Sequence, residues 1–223
     1  MQAQLEKYNS LLVGANKIHN LTAHRTLQDS QKFNIDDSLL FQDVVQKYVG
    51  EGAKVLDIGS GCGSPAIPLK IALPQLDMIM VDSVNKKVVF LNDAVAELGL
   101  NNIRAVHSRI EDLRSVCSPS ESVRTQSYDI ITARAVAPLN TLLEYALPLL
   151  CVGGVLLAYK GPSVNDEVAQ SQNALNTLGG EVIEIITRNL DSDTQRTIVV
   201  VKKIRPTPKG YPRGKNLPRT KPL

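Results

Sequence analysis

Three glycines two apart, Gly59, Gly61 and Gly63, end the apolar run Lys54-Val55-Leu56-Asp57-Ile58 and lead through Ser64 into the helix-compatible run Ala66 to Ala72. Glycine reaches positive φ freely and lets a ligand lie against the backbone, so this strand, turn and helix start can seat a nucleotide-like cofactor. Similar glycine turns also serve purely structural ends. Asp82 closes a second apolar run 23 positions after Gly59, with Ser83 beside it. A carboxylate there is placed to accept both ribose hydroxyls, and its competing role is a helix N-cap. Ile110 and Glu111 follow a third run and are candidates for an adenine edge, against the plainer reading of an exposed acidic first turn. Arg134 follows a fourth run and Lys160 a fifth. Either could anchor a carboxylate or phosphate, or simply pair with Asp57 or Glu111. His19, His24 and His107 are scattered and make no triad; with no paired-carboxylate or metal-spaced pattern, no catalytic acid or base and no metal are assigned.

Periodicity supplies the elements that would hold these residues. Leu5, Tyr8, Leu11, Leu12, Ala15 and Ile18 recur at helical spacing, and so do Leu39, Leu40, Val44, Val45 and Tyr48 across a predicted helix from Asp36 to Val49. Strands are predicted at Leu76 to Asp82, Ile103 to His107, Tyr128 to Ala133 and Val155 to Tyr159. Helices are predicted at Lys86 to Leu98, Ile110 to Val116 and Leu139 to Leu150, with a polar loop at Ser118 to Ser127. Strands alternating with helices pair in parallel. Val182 to Thr187 and Thr197 to Ile204 leave no room for a helix between them, so they form a hairpin whose last strand is antiparallel. The expected fold is α/β: a doubly wound, mostly parallel seven-stranded sheet, Rossmann-like, with N-terminal helices in 1–50, a core in 51–204 and a basic Pro-rich tail in 205–223. A hairpin ending is the arrangement expected of class I methyltransferases that use S-adenosylmethionine.

The chain of 223 residues is 43% hydrophobic and 21% charged, an ordinary globular composition. No apolar run approaches the roughly 20 residues of a membrane span, and the first residues are polar rather than signal-like. The odd, unpaired set Cys62, Cys117 and Cys151 suits free thiols in a reducing compartment. A cytoplasmic monomer is expected, or a stromal protein of an organelle whose transit segment has been removed. From Lys202 onward there are eight basic residues and no acid, leaving 17 basic and 22 acidic residues upstream. Such a tail is either an arm for nucleic-acid phosphate or a solubilising end.

The segments Asn16-Lys17, Asn20-Leu21-Thr22-Ala23, Asp37-Ser38-Leu39, Asp57 to Leu69, Asp82-Ser83, Ser108 to Glu111, Ala133-Arg134-Ala135, Lys160-Gly161 and the tail from Pro208 resemble, in order, the bacterial 16S ribosomal RNA (guanine-N7) methyltransferases, the glucose-inhibited division protein B family. The resemblance implies transfer of a methyl group from S-adenosylmethionine to N7 of one guanine in small-subunit RNA, free or in the particle. It implies cofactor contacts from Gly59, Ser64, the Asp82 region, Ile110, Glu111 and Arg134. Gly61, Gly63 and Ser83 join them by position, and Arg25, Lys160, Lys209, Arg213 and Lys215 are the candidate RNA contacts. The chain departs from its relatives at Ser64, usually bulky and apolar, at Ala66, often glycine, and at Asn34, often histidine; Ser64 and Ala66 predict a different hold on the cofactor's methionine end. Guanine N7 carries a lone pair and loses no proton on methylation, which agrees with the lack of a general base. Two other readings stay open: an NAD-dependent oxidoreductase, for which the third dinucleotide glycine is replaced by Ala66, and a non-enzymatic RNA-binding module. Deleting the tail is expected to weaken RNA binding while sparing cofactor affinity.

Overall fold

The computed structural model describes residues 1–113, 128–161 and 164–223. Among them, seven strands form a sheet in the order β3-β2-β1-β4-β5-β7-β6. The strands are β1 (Lys54–Ile58), β2 (Asp77–Asp82), β3 (Ile103–His107), β4 (Tyr128–Arg134), β5 (Leu150–Lys160), β6 (Gly180–Asn189) and β7 (Gln195–Lys203). β7 alone runs against its neighbours, pairing antiparallel with both β5 and β6. The order reverses between β1 and β4, which places a ligand crevice at the carboxyl ends of those two strands.

β1 is buried on both faces because helices cover both. Val55 packs with Tyr8, Leu12, Phe41, Ile67 and Leu91 on one side; Leu56 and Ile58 pack with Leu139, Leu142 and Leu175 on the other. That double covering explains the near-continuous apolar run, the signature of a parallel central strand. Tyr8, Leu12 and Phe41 are fully enclosed; each such side chain contributes roughly 1.5–3 kcal/mol. The N-terminal helix α1 (Gln2–His19) therefore shares the core of the sheet. Ile18, expected on its inward stripe, is instead 78% exposed.

The single helix expected from Asp36 to Val49 is broken. A π-helical turn, Gln31–Asp36, runs into Asp37–Leu39, and a separate helix follows at Gln42–Tyr48. The π-helical turn places Phe33 and Asn34 beside the glycine loop, in the wall of one cavity with Gly59 and Gly61. Between β5 and β6 the chain forms two helices with no counterpart in the sequence reading, Val164–Gln170 and Gln172–Leu178. The hairpin turn is shorter than its polar composition suggested, since β6 and β7 pair out to Asn189 and Gln195. The helix expected at Ile110 to Val116 begins as a single 3-10 turn, Ile110–Asp112. The loop expected at Ser118 to Ser127 lies outside the described residues.

The tail is not a free arm. Lys203, counted with its cations, is completely buried, and its ammonium donates to the carbonyls of Leu147 (2.7 Å) and Leu178 (3.0 Å) and to Thr207. It thus satisfies carbonyls at the ends of two helices. Burial lowers its pKa to about 8. Arg213 pairs with the fully buried Glu144, Nη2 to Oε2 at 2.6 Å and Nε to Oε1 at 2.8 Å. Thr141 donates to the carbonyl of the buried Pro218 (2.9 Å), which seats the short helix Leu217–Thr220 on the helix Leu139–Ala146.

Candidate active site

Two cavities meet behind the glycine loop, sharing Gly59 and Val136. The smaller, about 250 Å³, is lined by Asp82, Ser83, Ile110 and Glu111. The larger, about 840 Å³, is lined by Gly61, Ser64, Arg134 and Lys160 together with His24, Phe33, Asp37 and Arg196. The structure thus brings most of the candidate cofactor residues to one crevice, at the switch in strand order.

Backbone geometry accounts for the glycines. Gly59 has φ +67° and Gly63 +102°, values that disfavour a side chain, and a Cβ on Gly59 would come within 2.8 Å of Val136 Cγ2. The loop is tied to β2: the amides of Gly59 and Ser60 donate to the Val81 carbonyl, and the Gly61 amide donates to Asp82 Oδ2 at 2.9 Å. Asp82 Oδ1 accepts from the Val84 amide at 2.9 Å in a local Asx-type turn, whereas the helix Asn85–Glu97 takes Val84 itself as its N-cap with no side-chain cap bond, so Asp82 shapes the turn before that helix and does not cap it. These bonds do not exhaust the side chain. A carboxylate has about four lone-pair sites, and two are used, leaving one on each oxygen for a diol.

Asp57, beneath the loop, is fully buried. Its Oδ1 accepts from Thr132 at 2.6 Å, while Oδ2 has no hydrogen-bond partner among the described residues. Burial pushes its pKa up to about 6. The unfolded chain ionises this group near 4 and the folded chain near 6. The penalty is therefore absent below pH 4 and complete above pH 6, and stability falls through that window by about 3 kcal/mol. The difference in stability between Asp57→Asn and the native protein should shift in the variant's favour from pH 4 to pH 6, then level off. Melting curves across that range check this; a pH-independent difference would mean that Asp57 is not the titrating group.

Arg134 reaches neither Asp57 nor Glu111. Its Nη1 donates to the Phe33 carbonyl at 2.9 Å and lies 3.5 Å from Asp37, which also holds Arg196 Nε at 2.9 Å. Asp37 and Arg196 were missed by the sequence reading because their meeting spans 159 positions and no local spacing signals it. Lys160 pairs with Glu167 (2.6 Å) and donates to the Ala137 carbonyl, so among the described residues it is held within the protein. Ser64 donates its hydroxyl to the Asn34 carbonyl at 2.9 Å. Ser64 and Asn34, two of the positions expected from the resemblance to depart from the family pattern, therefore touch each other. His24 stacks on Phe33, with centroids 4.6 Å apart, and burial lowers its pKa. Among the candidate RNA contacts, Lys209 and Lys215 are exposed, Arg213 is bound to Glu144, and Arg25 lies apart in a shallow pocket with Lys17. Two tail residues that the sequence did not single out, Asn216 and Arg219, line the smaller cavity.

The residues fit S-adenosylmethionine. Gly59 and Gly61 leave the backbone open, Asp82 offers two free lone pairs at the expected end of β2, and Ile110 and Val136 give apolar walls beside Glu111. Fold and site together define a class I methyltransferase that uses S-adenosylmethionine. The chain belongs to the GidB family, described as rRNA small subunit methyltransferase G, whose profile matches residues 1–199. It is 42% identical to "Ribosomal RNA small subunit methyltransferase G" of Leuconostoc citreum over 220 residues, spanning 99% of this chain and 90% of that one. It is 40% identical to the protein of the same description in Alkaliphilus metalliredigens, with the same coverage. Solved structures share the fold at low identity. An rRNA methylase from Streptococcus thermophilus has a TM-score of 0.54 at 18% identity, over 74% of this chain and 95% of that one. M. jannaschii TYW2 in complex with AdoMet has 0.57 at 12%, over 75% and 77%. Among the described residues, no helix is long and apolar enough to cross a membrane.

Proposed function

We propose that the protein transfers the methyl group of S-adenosylmethionine to N7 of a guanine in 16S ribosomal RNA, acting as a cytoplasmic monomer. The observation that carries this reading is that the two cavities share a wall, Gly59 and Val136 lining both. One has the groups for an adenosine; the other is wide and opens beside Arg134 and Arg196. The NAD-dependent and non-enzymatic readings lose ground to the family assignment.

When bound, S-adenosylmethionine supplies a methyl group activated on sulfonium sulfur. Asp82 would hold the ribose hydroxyls, Ser83 and Glu111 the polar edges of the adenosine, and Ile110 and Val136 its ring faces. Arg134, which uses one nitrogen on Phe33 and Asp37, has further donors for the methionine carboxylate. The larger cavity then admits the flipped or looped-out base, with His24 and Phe33 at its wall and its N7 presented to the methyl carbon. Alignment of that lone pair in a site that sheds water is sufficient for the chemistry, and contributes roughly 7–11 kcal/mol when geometry is good. Lys209, Lys215 and Arg25 are exposed cations suited to phosphate. Residues 51–204 form the transferase unit, on which 1–50 and 205–223 pack.

The test incubates the protein with labelled S-adenosylmethionine and small-subunit RNA lacking the modification, both naked and assembled. Digestion should yield labelled 7-methylguanosine from one nucleotide. Label in another nucleoside, or none in either substrate, would overturn the reading.

A further inference from the structure

We infer that the C-terminal segment is part of the cofactor site, with Asn216 and Arg219 contacting the bound adenosine. The inference rests on the methyltransferase reading and goes beyond it, since nothing in the glycine turn or the strand ends implies a contribution from the last residues of the chain. Asn216 and Arg219 line the same small cavity as Gly59, Asp82, Ile110 and Glu111. Neither arrives there on a loose end. Arg213 is clamped to the buried Glu144, Thr141 holds the Pro218 carbonyl, and Arg219 Nη2 donates to the Val136 carbonyl at 3.3 Å. Val136 is the residue against Gly59, so Arg219 is attached to the wall that the two cavities share.

Tyr145 is also on the cavity wall, and burial raises its pKa. The Arg219 guanidinium is held at the rim by its bond to the Val136 carbonyl while remaining exposed. A planar cation at the mouth of an adenosine cleft can lie on the base or bond to its ring nitrogens. Asn216 adds an amide donor and acceptor beside it. The tail therefore has two sets of polar side chains with separate uses: Arg213 and Lys203 dock it, and Asn216 and Arg219 face the ligand. The expectation that the tail can be removed without cost to cofactor binding is replaced by its opposite.

The test measures S-adenosylhomocysteine affinity by titration calorimetry for the full-length protein and for Arg219→Ala, Asn216→Ala and Asp93→Asn. Arg219→Ala and Asn216→Ala should each weaken binding about 5- to 20-fold, the range for loss of one good hydrogen bond or cation contact. Asp93→Asn, at an exposed residue outside both cavities, should bind as the native protein does. Because Arg219 is exposed, its variant should melt as the native protein does, so weakened binding cannot be attributed to unfolding. Unchanged affinity in both cavity variants would overturn the inference while leaving the methyltransferase reading intact. If the native protein fails to bind S-adenosylhomocysteine, that reading fails and the inference falls with it.

Discussion

Asp82→Ala is expected to weaken S-adenosylhomocysteine binding by about two orders of magnitude. Hydrogen bonds to a charged acceptor contribute roughly 1.5–3 kcal/mol each. Losing two to the ribose costs about 3 kcal/mol or more, which is a hundredfold or greater change in dissociation constant. The structure adds a second cost, because the same carboxylate accepts from the Gly61 and Val84 amides and so holds the glycine loop against β2. Asp82→Asn separates the two effects. It keeps one acceptor oxygen but turns an NH₂ toward one of those amides, so it should lose part of the affinity and part of the loop order. Calorimetry paired with melting curves decides between roles. Retained affinity in Asp82→Ala together with a lowered melting temperature would reduce Asp82 to an acceptor that holds the loop.

Arg213→Ala should produce the largest loss of stability, about 3–5 kcal/mol, because it strands a carboxylate that is 0% exposed. For a chain of this size the melting temperature should fall by roughly 10 °C. The pair as a whole is not expected to be worth that much. Replacing both partners with leucine removes the desolvated charges along with their attraction, and such replacements are often neutral or better. The double variant Arg213→Leu/Glu144→Leu should therefore recover most of the melting temperature lost by Arg213→Ala. A single variant that melts within about 1 °C of the native protein would show that the tail does not need this ion pair to dock.

These two residues mark different limits of sequence reading. Asp82 was legible because its place depends on spacing along the chain: a strand, a glycine turn, a second strand and an acid at its end bring a carboxylate beside the glycine loop whatever the rest does. Arg213 was legible only as a positive charge among other positive charges, with Pro206, Pro208 and Pro212 arguing for an unstructured arm. Its partner, Glu144, is 69 positions away on a helix whose apolar neighbours gave no reason to expect a carboxylate facing the tail. Lys203 repeats the case, being one of a run of cations by sequence and a buried donor to helix-end carbonyls in the structure.

Period-two and period-3.6 patterns are set by which faces are buried, so the amino-acid sequence by itself determined the seven strands, the antiparallel ending, the glycine loop and the gathering of Asp82, Ile110 and Glu111 at the strand ends, where they line one cavity. The family resemblance in that sequence also pointed to the cofactor. Tertiary structure alone decided what meets across the fold. It bent the segment around Gln31–Asp36 into a π-helical turn, joined Asp37 to Arg134 and Arg196, paired Ser64 with Asn34, and brought Asn216 and Arg219 to the wall of the smaller cavity. Local patterns carry no record of such contacts, because each depends on two distant segments being brought together by a core that neither contains.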